Sequence, residues 1–221
     1  MNRRDFVHAC TAAPAVVMGQ HSAQGAALSG DTLMDAASSN RYMFLGGKQG
    51  AWNVTRMHAY RGSGLEAVEY IEVLHGDIRQ SSETKWILQG FTSNARYSTS
   101  AELAALKARQ PALNRPGDNC AALIPIKKSA RWWDLGQDER RAIFEETSHH
   151  VSIGMKYLPA IARRLHHCRD IREPFDFLTW FEFAPEYKQA FDDLLARLRA
   201  TEEWTFVERE TDIRLERANK L

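Results

Sequence analysis

The 221-residue chain has little of what usually fixes a protein's class at once. Its three cysteines, Cys10, Cys120 and Cys168, have no spacing typical of a metal or redox site, and no C-x-x-C-H motif is present. No apolar run approaches the roughly 20 residues that span a bilayer. Lys and Arg number 29 against 28 Asp and Glu. The balanced charge offers no basic surface for nucleic acid or an anionic membrane, so neither partner is expected.

The remaining composition is that of an ordinary globular protein. Hydrophobic residues make up 44% and charged residues 26% of a chain long enough to bury a full core, as one domain or two small fused domains. Cys120 and Cys168 can pair in an oxidising compartment, but two buried free thiols are favoured.

The N-terminal residues resemble a twin-arginine export signal. Arg3 and Arg4 precede a weakly apolar segment at residues 11–19 and then a run of small residues. We predict a signal peptide over residues 1–26 and export to the periplasm, a route that suits a protein that folds and takes up a cofactor first. The alternative is a disordered tail, since Pro14 breaks the apolar segment.

The first half of the chain holds short apolar runs behind a polar connection. Residues 27–49, rich in Ser, Ala and Gly, are predicted to form a flexible tether. Strands are predicted at 52–60, 86–92 and 121–126, a helix at 101–109 with Leu103 and Leu106 on one face, and either strand or helix at 67–74.

The second half alternates strands and helices. Helices are predicted at 137–150 and 156–166, a strand at 175–183, a helix with Phe191, Leu194, Leu195 and Leu198 on its apolar face, and a last strand at 204–208. Strand, helix, strand, helix, strand is the ferredoxin-like α+β pattern. If the first half is a degenerate copy, the chain forms two ferredoxin-like units, residues 50–118 and 119–221. Their sheets would build a dimeric α+β barrel-type domain.

Two neighbouring histidines differ in their expected surroundings. His150 follows Ile143 by seven residues and lies on or beside the inward stripe of its helix, whereas His149 follows Glu145 and Glu146 and faces solvent with them. A neutral imidazole on an inward face can ligate a metal, but a hydrogen-bonded core histidine fits the same pattern. Ligation by one histidine implies a cofactor that brings its own ligands, as a porphyrin does.

Arg163 is a second candidate for a functional side chain. It lies on the predicted helix 156–166 but well off the apolar stripe, and taken alone it is typical of a solvated arginine. Arg164, His166 and His167 surround it in the sequence. The cluster is therefore also compatible with a basic surface patch.

Three segments stand in a distinctive order along the second half. They are Lys128-Ser129-Ala130-Arg131-Trp132-Trp133, then Ser148-His149-His150, then Ala162-Arg163-Arg164-Leu165-His166-His167-Cys168. In this order they resemble the chlorite dismutase family of haem b proteins. There the proximal haem-ligating histidine follows a Trp-Trp motif and the distal-pocket residue comes thirteen positions later, which His150 and Arg163 match. The resemblance covers about residues 52–215 and is strongest from residue 121 onward.

The resemblance implies roles for individual residues. His150 would ligate the iron of a haem b that is held without covalent bonds, Glu203 would accept a hydrogen bond from His150, and Arg163 would be the distal residue. Gln110 matches a glutamine that restrains the distal arginine in the shorter members. The remaining matches are Lys128, Trp132 and Trp133 along the haem and Tyr97 at a propionate. Residue patterns alone favour an exposed helix-end acid at Glu203 and core or interface aromatics at the two tryptophans.

The activity that the resemblance implies is decomposition of chlorite to chloride and dioxygen, with O–O bond formation at a ferryl haem. Members that decompose chlorite have Arg at the distal position, whereas the coproheme decarboxylase branch commonly has Gln. Arg163 would act through its fixed charge, since a guanidinium cannot serve as a general acid. The alternatives are a haem peroxidase of the same fold and a periplasmic haem-binding or haem-sensing protein. Likeness to the short-chain branch implies a homodimer.

Overall fold

The computed structural model describes residues 40–76, 83–92 and 96–218, and within them eight antiparallel strands close into a barrel. The strands are β1 (Arg41–Gly47), β2 (Trp52–Arg61), β3 (Tyr70–His75), β4 (Thr84–Phe91), β5 (Cys120–Lys128), β6 (Ala162–His167), β7 (Phe177–Phe183) and β8 (Val207–Arg217). The predicted signal peptide, residues 1–26, lies outside the described residues.

The barrel contains the same strand order twice. Around the ring β4, β1, β3 and β2 are followed by β8, β5, β7 and β6, so each half places its fourth, first, third and second strands side by side. This is the order of a ferredoxin-like unit, and it confirms the predicted α+β fold. The first copy is degenerate as expected, because residues 48–51 join β1 to β2 without a helix.

Helices lie mainly in the second half. They are α1 (Ser100–Arg109), α2 (Ala130–Asp134), α3 (Gln137–Arg141), a π-helix (Ala142–Thr147), α4 (His150–Met155) and α5 (Lys188–Arg199), with 3-10 turns at Arg169–Ile171, Pro185–Tyr187 and Glu203–Phe206. Of the helices in the described part of the chain, none is long and apolar enough to cross a membrane.

Strands β5 and β7 divide the core into two clusters, because successive side chains of a strand point to opposite faces. Leu123 and Trp180 face the barrel interior. Ile124 and Phe181 face the other way and pack with Leu195 of α5. The outer face of the second sheet and the helices over it therefore enclose a separate space, which holds the candidate site.

The two cysteines lie in different clusters. Cys120 packs in the outer cluster and Cys168 in the interior one, where its Sγ donates to the carbonyl of Phe175 at 3.1 Å. Both are buried free thiols, as predicted. Burial raises the pKa of both, so neither is poised to act as a thiolate.

The predicted tether at 27–49 is wrong at its C-terminal end. Residues 41–47 form β1, which pairs with β3 on one side and β4 on the other. Phe44 is fully buried in the interior cluster. Burial of this short apolar segment outweighs the small and polar residues around it, and residues 27–39 lie outside the described part of the chain.

The predicted helix at 137–150 is broken before its last residue. α3 passes into the π-helix, and the chain then turns through His149, whose φ of 53° is left-handed. A new helix, α4, begins at His150. The carboxylate of Glu145 accepts hydrogen bonds from the backbone N–H groups of Val151 (2.5 Å) and Ser152 (3.2 Å) and so caps it.

The predicted helix at 156–166 is wrong. Residues 162–167 form β6, which pairs with β7 from Ala162 opposite Glu182 to His167 opposite Phe177. Pro159 is the signal against a helix, because proline lacks an N–H and disfavours helical backbone in the residue before it.

Smaller boundaries also differ. Phe175 precedes β7 and packs in the interior cluster, and residues 203–206 form a 3-10 turn, so the last strand begins at Val207 rather than Trp204. On α1, Leu106 is buried but Leu103 is exposed. The ambiguous segment at 67–74 contributes to strand β3.

Candidate active site

A cavity of about 1140 Å³, counted to its open mouth, lies between the outer face of the second sheet and the helices that cover it. Its walls are mainly apolar, with Ile124, Phe181 and Leu195 among them. The predicted site residues that line it are Tyr97, Lys128, Trp132, His150, Arg163 and Glu203.

His150 is presented to the cavity by the break in the predicted helix. It is the first residue of α4, directly after the left-handed His149, which is exposed as predicted. Glu145, predicted to face solvent, is instead buried because its carboxylate caps this helix. The backbone N–H of Glu203 donates to Ser148 Oγ at 2.9 Å, which ties the segment before His150 to the turn at 203–206.

Glu203 joins His150 to Lys128 in a buried charged triad. His150 Nδ1 lies 2.6 Å from Glu203 Oε2, and Lys128 Nζ donates to Oε1 of the same carboxylate at 2.8 Å. An ionised carboxylate only accepts hydrogen bonds, so Nδ1 carries a hydrogen, and in the neutral form of the ring the lone pair is on Nε2. Among the described residues, Nε2 has no hydrogen-bond partner.

The electrostatics of the triad keep Glu203 ionised. Burial by itself raises the pKa of this carboxyl, but the positive charge of Lys128, the charge of His150 when that ring is protonated, and the hydrogen bonds from both residues outweigh burial and lower the pKa to about 2. Glu203 is buried, not the exposed acid that residue patterns favoured. Lys128 is buried with it, and its Nζ lies 4.7 Å from the centre of the Trp132 ring.

Two aromatic rings lie nearly parallel to the imidazole of His150. The Phe144 ring stacks on it with centroids 4.4 Å apart and 22° between the planes. Trp204 lies 6.5 Å away and is tilted by only 16°, and its Nε1 donates to Glu210 at 2.7 Å. Sequence reasoning missed both residues.

Arg163 enters the cavity from β6. Because residues 163, 165 and 167 of a strand share one face, Arg163 lines the cavity together with Leu165 and His167. Among the described residues no acceptor binds the Arg163 guanidinium, and burial lowers its pKa. The solvated arginine and the basic surface patch are therefore wrong, because Arg163 borders an enclosed space and His166 and His167 are buried.

Gln110 contacts Arg163 through the main chain and does not line the cavity. It follows the last residue of α1, and its side-chain amide donates to the backbone carbonyl of Arg163. It therefore anchors the strand that carries the arginine and makes no hydrogen bond to the guanidinium.

Tyr97 lines the cavity near its polar edge, beside Arg96 and Ser98. Its φ of 62° is left-handed, and its hydroxyl accepts from Arg140 at 3.3 Å while Arg141 donates to its backbone carbonyl. These contacts fix a strained residue at this edge.

Trp133, also predicted to lie along the haem, is not among the residues that line the cavity. Its Nε1 donates to Asp176 at 3.2 Å, and the Arg169 guanidinium lies 3.9 Å from the ring centre. Because adjacent residues of α2 diverge, Trp132 faces the cavity while Trp133 packs against these charged groups. His167 is a cavity residue that the predicted helix concealed.

The chain is similar to known proteins of one family. The family model described as chlorite dismutase matches residues 20–217, and the chain belongs to this family. It is 53% identical to a structure of a dimeric chlorite dismutase from Nitrobacter winogradskyi, with a TM-score of 0.74, covering 80% of this chain and 99% of that one.

Two further relatives are more distant. A chlorite dismutase from Ideonella dechloratans is 28% identical over 131 residues, which is 58% of this chain but only 44% of that protein. A structure of chlorite dismutase from Candidatus Nitrospira defluvii in complex with imidazole shares the fold with a TM-score of 0.59 at 19% identity, covering 85% of this chain and 95% of that one.

The cavity residues fit a haem, the cofactor of this family. Among the described residues no group of three or more His, Cys, Asp or Glu can hold a metal ion, whereas a single histidine suffices for a porphyrin-bound iron. Apolar walls suit a macrocycle, and His150 Nε2 is available to a metal. The buried Nε1 of Trp132 has no partner among the described residues and is free to donate to a polar group placed beside it.

Proposed function

We propose that this protein decomposes chlorite to chloride and dioxygen, using a non-covalently bound haem b whose iron is ligated by His150. The observation that carries the proposal is the presence in one cavity of two complementary groups. His150 has its Nδ1 hydrogen-bonded to Glu203 and its Nε2 unoccupied, and Arg163 carries a cation without an acceptor among the described residues.

The proximal residues set the electron density at the ligating nitrogen. When bound, haem supplies an iron that exchanges oxygen atoms with chlorite. Glu203 holds the Nδ1 hydrogen of His150, which fixes the tautomer and makes Nε2 a stronger donor. Lys128 fixes the carboxylate through Oε1, so that Oε2 stays directed at the imidazole.

Arg163 acts as a fixed charge. A guanidinium keeps all its protons at any working pH, so it cannot exchange protons with the substrate. Its unpaired N–H groups can attract chlorite and retain a chlorine oxyanion until dioxygen has formed. The apolar walls around it exclude water and strengthen this attraction.

The remaining predicted residues support the two groups. Lys128 and Trp132 line the proximal side, and Tyr97 with its Arg140 partner is placed to receive a propionate at the polar edge. Gln110 acts on Arg163 by holding the backbone of β6.

Oxygen evolution on an electrode after addition of chlorite to haem-loaded protein tests the proposal. We expect rapid release in the wild type, loss with His150→Ala, and faster inactivation with hypochlorite escape in Arg163→Ala. His149→Ala is the matched control, because His149 is adjacent in sequence but exposed. A haem spectrum without oxygen release would leave a peroxidase or a haem-binding protein instead.

We also propose that the protein is a homodimer, since the Nitrobacter winogradskyi relative is described as dimeric. Light scattering on the haem-loaded protein should give twice the single-chain mass of the exported form. A single-chain mass contradicts it.

We propose that the protein is exported to the periplasm, on the basis of Arg3, Arg4 and the segment that follows them. Cell fractionation should find the protein in the periplasm and, with Arg3→Lys/Arg4→Lys, in the cytoplasm. Cytoplasmic protein with the arginine pair intact contradicts this proposal.

A further inference from the structure

A second cavity lies on the opposite face of β6, inside the barrel. It measures about 880 Å³, counted to its mouth. Residues at i and i+2 on three strands face it, namely Tyr42 and Phe44 of β1, Arg164 and His166 of β6, and Trp180 and Glu182 of β7. The strand thus presents Arg163 to the haem cavity and Arg164 to this barrel cavity.

His166 offers the barrel cavity a hydrogen-bond acceptor. Its side chain is almost fully buried, and Nδ1 lies 3.0 Å from the carbonyl oxygen of Leu178. A carbonyl only accepts, so Nδ1 carries the hydrogen, and burial lowers the pKa of the ring to about 4, which keeps it neutral. Nε2 is then a buried acceptor without a donor among the described residues.

Arg164 and Tyr42 offer donors to the same cavity. Arg164 makes one side-chain hydrogen bond among the described residues, from Nη1 to Tyr42 Oη at 2.6 Å. The guanidinium has five N–H groups, so most of them remain available, and the Tyr42 hydroxyl hydrogen has no acceptor in the described part of the chain. A buried or half-buried guanidinium with free N–H groups can donate them to the oxygens of an oxyanion.

Two carboxylates restrict which oxyanion fits. Glu182 accepts from Trp180 Nε1 at 2.8 Å and from the backbone of Asn114 at 2.5 Å, and Glu72 accepts from the backbone of Ala51 at 2.7 Å. Neither carboxylate forms an ion pair in these bonds, so each disfavours an oxyanion that has lost every proton. Arg217 adds a second guanidinium to the lining, which leaves two arginines and two carboxylates around the cavity. An oxyanion that keeps a hydroxyl can instead donate to His166 or to a carboxylate oxygen.

We propose that the barrel cavity is a binding site for a small oxyanion that keeps an O–H group, of the class of hydrogen phosphate. Arg164 and Tyr42 donate to its oxygens and His166 Nε2 accepts its hydroxyl hydrogen. The site is separate from the haem cavity and does not depend on the proposed chlorite chemistry.

Calorimetric titration of the haem-loaded protein with inorganic phosphate and with sulfate, at pH 7 and equal ionic strength, tests this site. The two ions have similar size and shape, but only phosphate keeps a hydroxyl at this pH. We expect phosphate to bind at least about 10-fold more tightly than sulfate. Arg164→Gln should weaken phosphate binding by about 10-fold or more, and Tyr42→Phe by a smaller factor, in protein with an unchanged haem spectrum.

The neighbouring arginine provides the matched control. Arg163→Gln should leave phosphate affinity within about 2-fold of wild type, because Arg163 faces the other cavity. Equal affinity for phosphate and sulfate overturns the proposal. Absence of phosphate binding also overturns it, because water alone then occupies the space beside His166. Loss of binding in Arg163→Gln with retention in Arg164→Gln overturns it too, because phosphate then occupies the haem cavity.

Discussion

Charged side chains are paired on one side of the haem cavity and unpaired on the other. On the proximal side Lys128, Glu203 and His150 satisfy one another within hydrogen-bond distance. On the distal side Arg163 has no acceptor among the described residues. An isolated buried charge costs free energy unless a partner compensates it. The difference indicates a proximal side completed by folding and a distal side completed only when an anion arrives.

A substitution should therefore have a different effect on each side of the cavity. A proximal substitution breaks interactions that the folded protein already makes, so it should lower the free energy of unfolding and the affinity for haem. A distal substitution removes no such interaction, so it should act on anion binding and turnover and leave folding nearly unchanged. The predictions below separate these outcomes.

The largest effect is expected from Glu203→Ala, which leaves the buried Lys128 ammonium without its carboxylate. Removal of one partner of a buried pair costs about 3–5 kcal/mol, and loss of a group that orients a metal ligand weakens metal binding about 10–100-fold. Urea unfolding of the haem-free protein and haem titration measure the two effects. The double variant Lys128→Met/Glu203→Leu removes both charges and should recover most of the stability. If the double variant is as unstable as the single one, the loss does not come from the unpaired lysine.

As the pH falls, the free energy of unfolding should decrease first through His166 and His167 of β6 and only later through the proximal triad. The folded pKa values of His166 and His167 are about 4, because burial disfavours their charged forms, against 6.5 ordinarily. The unfolded chain therefore binds more protons between pH 6.5 and 4, and stability falls as the pH drops through this window. Glu203 has a folded pKa of about 2 against 4.5, so its contribution is complete above pH 4.5 and is lost only as the pH falls toward 2.

Urea unfolding at several pH values tests this order. His167→Gln removes one of the two titrating rings, so it should reduce the slope of unfolding free energy against pH between 6.5 and 4 by at most about 1.4 kcal/mol per pH unit. His149→Gln, at an exposed histidine, is the matched comparison for the substitution. The same slope in His167→Gln and wild type contradicts the assignment.

A smaller effect is expected from Gln110→Ala. It removes the hydrogen bond to the Arg163 carbonyl, which should lower the free energy of unfolding by about 1 kcal/mol and leave haem affinity unchanged. Denaturant unfolding and haem titration provide both values. A large loss of haem affinity would mean that Gln110 acts inside the cavity.

The smallest effect on folding is expected from Arg163→Gln. No hydrogen bond of the guanidinium to a described residue is lost and an unpaired, half-buried charge is removed, so the unfolding free energy should not fall and should rise by about 1 kcal/mol at most. Arg199→Gln is the contrasting variant, because Arg199 is paired with the buried Glu210 and Asp212, and it should cost about 3–5 kcal/mol. Similar losses in the two variants would contradict the distinction between paired and unpaired arginines.

The sequence predicted the fold class and six of the residues that line the cavity, but not which elements carry them. Regular apolar spacing located α5 and β5, where periodicity and tertiary packing agree. Near the site they conflict. The apolar stripe at 156–166 fits a helix, yet Pro159 and the pairing with β7 impose a strand. On the strand Arg163, Leu165 and His167 share the face that lines the cavity, whereas on a helix Leu165 would point away from the other two. His150 owes its position to a cap from Glu145 that periodicity does not reveal.

Trp132 and Trp133 differ in a way that residue matching does not reveal. A helix turns about 100° between neighbours, and of the two tryptophans only Trp132 lines the cavity. Whether Glu203 is buried also lay beyond periodicity, because it depends on Lys128, which is 75 residues earlier in the chain.

The most direct test of the contrast between the two sides is the dissociation constant of azide, a small anion, measured by absorption spectroscopy on haem-loaded wild type and Arg163→Gln. We expect the constant to rise about 10-fold or more in the variant, with haem affinity unchanged within about 2-fold. Unchanged azide affinity, or a parallel loss of haem affinity, would contradict the account of Arg163 as a cation kept unpaired for an anion.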